Sequence, residues 1–157
     1  MAVPVLALAS TTSASASTAG NVVSWKNVAT GKCLNWSDYW ATQNPKAMVG
    51  GCDTGFTQAV SNWREVPVDG KYWTFRTTRI DQSGNGDNLC LTSYNTLVYL
   101  ETCQNGNWWQ QWEEIWTENG WKLQHRGDGW VKGFFLDTDG SRLYTEPPNK
   151  GMNQVWN

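Results

Sequence analysis

Short runs of alternating apolar and polar residues recur along this chain from about residue 24, and no stretch carries the apolar spacing of a conventional helix. The runs fall into three similar sets. Trp25, Trp73 and Trp121 recur at equal intervals of 48 residues, and a second series, Trp63, Trp112 and Trp156, closes each interval. Read as three copies, residues 24–69, 70–116 and 117–157 each open on an aromatic-led strand, at 24–28, 72–76 and 120–124. A second apolar strand follows at 31–35, 88–92 and 133–137, and a third at 47–49, 97–100 and 142–145. A closing strand contains residues 60–63, 110–112 and 153–156. Gly- and Asn-rich stretches at 81–88, 104–107 and 127–129 read as loops between strands. A period of this length marks solenoids, propellers or arrays. With only three copies of short strands, closure into one compact all-β body is favoured over an open stack.

A chain of 157 residues has room for one domain, and the repeated part, taken as 21–157, is long enough to bury a core. Twelve Trp and fifteen Gly stand out against ordinary usage. Some of the tryptophan must fill the core, and the rest is available at the surface to stack on ligands. A net charge of −2 with 17% charged residues gives no basic footprint for a nucleic acid and no cluster for an anionic membrane. No span is long enough to insert across a membrane as a helix.

Cys33 and Cys52 fall in the first copy, Cys90 and Cys103 in the second, and none in the third. This placement predicts the disulfides Cys33–Cys52 and Cys90–Cys103, each closing a loop of roughly 13–20 residues for about 3 kcal/mol. In the third copy Phe135 and Pro148 stand at the two positions, so the pair is lost together. With one His and no C-x-x-C, zinc is disfavoured, and disulfides imply an oxidising, extracellular destination. Residues 1–20 are open to two readings. Their apolar start and Ala14-Ser15-Ala16 suit a secretory signal whose basic beginning is trimmed, and Val3-Pro4-Val5-Leu6 suits a flexible arm that docks as an added strand.

Cys-Leu at 33–34 and 90–91, a second Cys a dozen or more residues later, and Gln-x-Trp at 110–112 and 154–156 together resemble the ricin-B-type β-trefoil lectins. The resemblance covers about residues 24–157. It implies a six-stranded barrel closed by three hairpins in pseudo-threefold arrangement, with Trp112 and Trp156 buried and Gln110 and Gln154 bracing the closing turns. It also implies sugar binding through an acid after the Cys-Leu strand, an aromatic platform on the next strand, and an Asn after the second Cys. The third copy keeps Asp137 and Asn149, with Gln154 behind them, whereas Asn35 and Thr92 replace the acid in the other two. The platform position carries Gly50, Glu101 and Glu146, none of which can stack. Tyr144 lies two residues from Glu146, shares its strand face and is the substitute. The candidate carbohydrate-binding residues are therefore Asp137, Tyr144, Asn149 and Gln154.

Catalysis finds no support in the chain. His125, the sole histidine, has no neighbouring nucleophile and reads as a strand-end or turn residue. Glu113-Glu114 reads as a solvated stretch after the closing strand, not as a glycosidase pair. No phosphate loop or cofactor fingerprint is present, and no cofactor is expected. The Asp-rich runs at 81–87 and 137–141 lack the Glu that ends an EF-hand loop and read as turns. The expected function is a secreted, non-catalytic recognition module that binds a glycan through its third copy. The alternative is an adaptor bridging components of a secreted bacterial toxin or enzyme complex, holding a secreted protein partner through loop aromatics Trp36, Tyr39, Trp40, Trp108 and Trp109. A protease inhibitor of the soybean type is a further class, from which the Gln-x-Trp pattern points away.

Overall fold

The computed structural model describes residues 20–37, 46–52, 59–78 and 88–157. Tyr39, Trp40, the 81–87 loop and the readings made for residues 1–19 lie outside them. The described chain is built of strands: β1 (Val22–Val23), β2 (Cys33–Ser37), β3 (Ala47–Gly50), β4 (Ala59–Val60), β5 (Trp63–Asp69), β6 (Tyr72–Thr77), β7 (Leu89–Tyr94), β8 (Leu97–Thr102), β9 (Trp112–Thr117), β10 (Gly120–His125), β11 (Phe135–Thr138) and β12 (Leu143–Glu146). Single 3-10 turns at Trp108–Gln110, Gly129–Val131 and Met152–Gln154 complete it.

The wall closes on itself. β1 pairs with β5, β5 with β6, β6 with β9, and β9 with β10, all antiparallel. Trp121 on β10 then bridges to Trp156, which bridges back to Asn27 just after β1. Reciprocal backbone bonds between Lys26 and Asn157, at 2.7 and 2.8 Å, reinforce that seam. Closing a wall in this way covers edges that would otherwise need a partner. The remaining hairpins are β2–β3, β7–β8 and β11–β12.

Alternation sends one face of each strand inward. Trp25, Leu34, Trp63, Phe75, Leu91, Trp112, Leu123, Leu136 and Trp156 belong to one buried cluster. Trp63, Trp112 and Trp156 donate their indole Nε1–H to the carbonyls of Leu34, Leu91 and Leu136, at 2.9, 2.9 and 3.2 Å. A buried indole needs an acceptor, and the same one is supplied each time. Disulfides Cys33–Cys52 and Cys90–Cys103 tie β2 to the end of β3 and β7 to the end of β8. Gly120 has φ +133°, and a Cβ there would meet the Trp156 carbonyl at 2.9 Å, so the turn entering β10 admits only glycine.

Several sequence expectations need correction. Val23, not Trp25, faces Trp63 in the position that Trp73 and Trp121 hold against Trp112 and Trp156. Lys26, Arg76 and Gln124 pair with Cys33, Cys90 and Phe135, so Trp25 corresponds to Phe75 and Leu123. The even spacing of the Trp25 series is therefore offset by two residues in the first copy. Gln110 and Gln154 lie on 3-10 turns ahead of the closing segments, not within strands. Glu114 is no solvated residue, since one of its carboxylate oxygens is buried inside β9 of the barrel wall.

Candidate functional site

Asp137 lies on β11 directly opposite Tyr144 on β12, and Phe135 lies opposite Glu146 in the same register. Cross-strand partners project to one face, so Phe135, Asp137, Tyr144 and Glu146 share a side of the hairpin while Leu136 points into the core. Asp137 is 3% exposed, and its Oδ1 has no hydrogen-bond partner among the described residues. Tyr144 is half-buried above it. Burial, then the negative charges of Asp137, Glu146 and Asp139, and a hydrogen bond to the Asp137 carboxyl push the Tyr144 hydroxyl up to about 12. It therefore stays protonated at neutral pH and keeps a donor on the face it shares with Asp137.

Asn149 and Gln154 play a different part from Asp137. Gln154 is fully buried; its Oε1 accepts the Asn149 backbone N–H at 3.1 Å and its Nε2 donates to the Pro147 carbonyl at 2.9 Å. Gln110 does the same work in the second copy, accepting from the Gln104 N–H and donating to the Thr102 carbonyl. In the first copy Ser61 stands at this position, and Asn35 donates to the Gly51 carbonyl at 2.9 Å instead. Asn149 Oδ1 caps the Gly151 N–H, and the Asn149 carbonyl takes Lys122 Nζ at 2.6 Å. Lys122 also sits 5.4 Å above the Phe135 ring. These groups shape the loop beside the Asp137 face.

A groove of about 380 Å³ runs along β12, with Tyr144 and Glu146 on one side and Thr96 and Leu97 of the β7–β8 turn on the other. Arg142 stands at its end, held by Asp139 through two hydrogen bonds of 2.8 and 2.9 Å. Asp139 also accepts the backbone N–H groups of Ser141 and Arg142, so the acidic run here forms a turn.

The loop aromatics divide. Trp36 is a core residue, buried, with Nε1 bonded to the Asn62 carbonyl, so it offers no face to a partner. Trp109 packs edge-on against Tyr94 and beside His125. Trp108 is 44% exposed, and the Arg126 guanidinium lies over it at 4.7 Å while also covering Tyr72 at 4.4 Å. Trp116 and Trp130 are more exposed still, and sequence reading did not single them out. Their only signal was the surplus of tryptophan itself. Among the described residues there is no group of His, Cys, Asp and Glu able to hold a metal ion, and no helix long and apolar enough to cross a membrane.

No protein-family model matches this chain, and none of the curated proteins does. Solved structures match it well. The designed 3-fold symmetric protein ThreeFoil is 18% identical, with a TM-score of 0.64 over 86% of this chain and 95% of its own. The Rhizoctonia solani agglutinin is 16% identical, with a TM-score of 0.59 over 91% of this chain and 96% of its own. A Polyporus squamosus lectin, solved with a human-type influenza-binding epitope, is 13% identical, with a TM-score of 0.62; the match covers 90% of this chain and 49% of the lectin. Identities this low speak to architecture alone. The chain has the β-trefoil fold.

Proposed function

We propose that the protein is a secreted, non-catalytic carbohydrate-binding module of the ricin-B type, with residues 21–157 as the trefoil and its sugar site on the third copy (117–157). The observation that carries this reading is Asp137: a carboxylate almost removed from solvent, one oxygen without a partner, on the hairpin face that also presents Tyr144. An unpaired buried acceptor is costly for the fold, and sugar hydroxyls are the donors that would satisfy it. Tyr144 offers an aromatic face to the C–H side of the ring, and Asn149 borders the site from the loop that Gln154 fixes. The agglutinin and the epitope-bound lectin among the structural relatives fit this reading. The two disulfides fit an extracellular destination.

Glycan-array binding that disappears in Asp137→Ala is the expected result. Binding retained in that variant, or turnover of any bound glycan, would reject the reading. A second reading, an adaptor holding a protein partner in a toxin or enzyme complex, draws on the exposed Trp108, Trp116 and Trp130. Recovery of one stoichiometric secreted partner, lost on Trp108→Ala and Trp130→Ala but not on Asp137→Ala, would favour it.

A further inference from the structure

We infer that the sugar site continues past Tyr144 into the groove between β12 and the β7–β8 turn, and that the groove seats a second sugar ring. The inference rests on the reading of Asp137 as a sugar contact. Tyr144 belongs to both places: it faces Asp137 across the hairpin and lines the groove. The far wall comes from the second copy. There Leu97 pairs with Tyr144 in register, yet it is 68% exposed, more than any other aliphatic side chain among the described residues. An apolar side chain left at the mouth of a groove, flanked by hydroxyl and charged groups, matches a pyranose, which carries a C–H face and a rim of hydroxyls.

The wall is held firmly. The Thr145 N–H bonds the Thr96 carbonyl at 3.0 Å, Ser93 and Thr145 hydroxyls meet at 3.1 Å, and Asn95 takes the left-handed conformation, φ 54°, that the two-residue turn requires. The backbone that carries Leu97 is thus fixed relative to Tyr144 before any ligand arrives, and binding has only the Leu97 side chain to order. A ring resting on Leu97 brings its hydroxyls to Thr96, Glu146 and the Arg142 guanidinium, which Asp139 orients. Donors and acceptors are both present, as a hydroxylated ligand needs. The ligand class is therefore a disaccharide or longer chain, bound across two copies of the repeat.

Titration of matched pairs (galactose and lactose, glucose and cellobiose, N-acetylglucosamine and chitobiose) against the intact protein tests this. The disaccharide of the recognised sugar is expected to bind about fivefold more tightly than its monosaccharide, the gain from covering roughly 40 Å² of apolar surface on Leu97. Leu97→Asp should erase that difference while leaving monosaccharide binding unchanged, and Leu97→Trp should widen it, a gain that misfolding cannot imitate. A disaccharide that binds no more tightly than its monosaccharide, or a difference that survives Leu97→Asp, overturns the second-ring site and leaves Asp137 standing. No saturable binding by any of these sugars removes the Asp137 reading, and this inference with it.

Discussion

Glu65 on β5 and Glu114 on β9 lie close enough in the barrel wall for the charge of one to act on the other. Two neighbouring carboxylates offer each other no donor unless one is protonated. Glu65 is fully buried, and among the described residues neither of its carboxylate oxygens, nor Oε1 of Glu114, has a hydrogen-bond partner. Their cross-strand partners are Phe75 and Leu123, which bring no charge. Burial first, then the neighbouring Glu65 carboxyl, holds the Glu114 carboxyl well above its ordinary value of 4.5.

A folded pKa above the unfolded one gives stability that is complete below the ordinary carboxyl range and is lost as pH rises into the alkaline range. The slope for one proton is at most about 1.4 kcal/mol per pH unit. Urea midpoints are expected to fall steadily between about pH 5 and about pH 9. Glu114→Gln, which keeps a donor but cannot ionise, should flatten that dependence and raise the alkaline midpoint. An unaltered slope in the variant would reject the raised Glu114 carboxyl.

His125 works in the opposite direction. It is buried at the end of β10 between Trp109 and Trp112, with ring centroids 5.6 and 5.1 Å away. Its Nε2 lies 3.2 Å from the Trp109 carbonyl, which fixes the proton on Nε2 and leaves Nδ1 bare. Burial lowers its pKa from 6.5 to about 4, against the pull of that carbonyl. The folded value lies below the unfolded one, so stability is whole above pH 6.5 and declines as pH falls toward 4. The imidazole proton resonances should show no titration in the folded protein above about pH 5. A midpoint near the ordinary histidine value would contradict the burial.

Sequence pattern carried the architecture because the architecture is periodic: strand after strand lies where alternation and turn residues place it, and both disulfides follow from which copy holds which cysteines. The two-residue offset of Trp25 was not legible, because an aromatic at either Val23 or Trp25 satisfies the same alternation and only the Lys26–Cys33 bridge tells them apart. Glu114 looked solvated for a related reason. Adjacent acids read as surface, yet a strand sends Glu113 outward to Lys71, at 2.6 Å, and Glu114 inward to Glu65. Trp36 looked like a loop anchor because its exposure depends on the third dimension, where the Asn62 carbonyl holds it in the core.

The Gln154 amide braces Pro147 and Asn149 together, in the segment that carries no disulfide in the third copy. In the second copy Gln110 makes the equivalent bonds beside the Cys90–Cys103 bridge. Gln154→Ala removes both part-buried bonds, a loss of about 1–3 kcal/mol. Gln110→Ala should cost less, since the disulfide retains the turn. Paired denaturation curves test the asymmetry, and equal losses would show that the bridge adds nothing to the turn.

In the proposed sugar site, Asp137 sets stability against binding. At the matching positions Asn35 donates its amide to Gly51, and Thr92 donates its hydroxyl to the Cys90 carbonyl at 3.0 Å, so both engage the backbone around them. Asp137 has no proton to donate in this way, and its Oδ1 is left without a donor among the described residues. Asp137→Asn keeps the shape, removes the buried charge and supplies a donor, so the folded state is expected to gain about 1 kcal/mol. The same change removes the strong acceptor that sugar hydroxyls require, and glycan affinity should drop by about tenfold or more. Chemical denaturation and calorimetric titration of one variant read the two effects separately. A variant that loses stability as well as affinity would mean that the carboxylate serves the fold, and the case for a sugar at Asp137 would then fall.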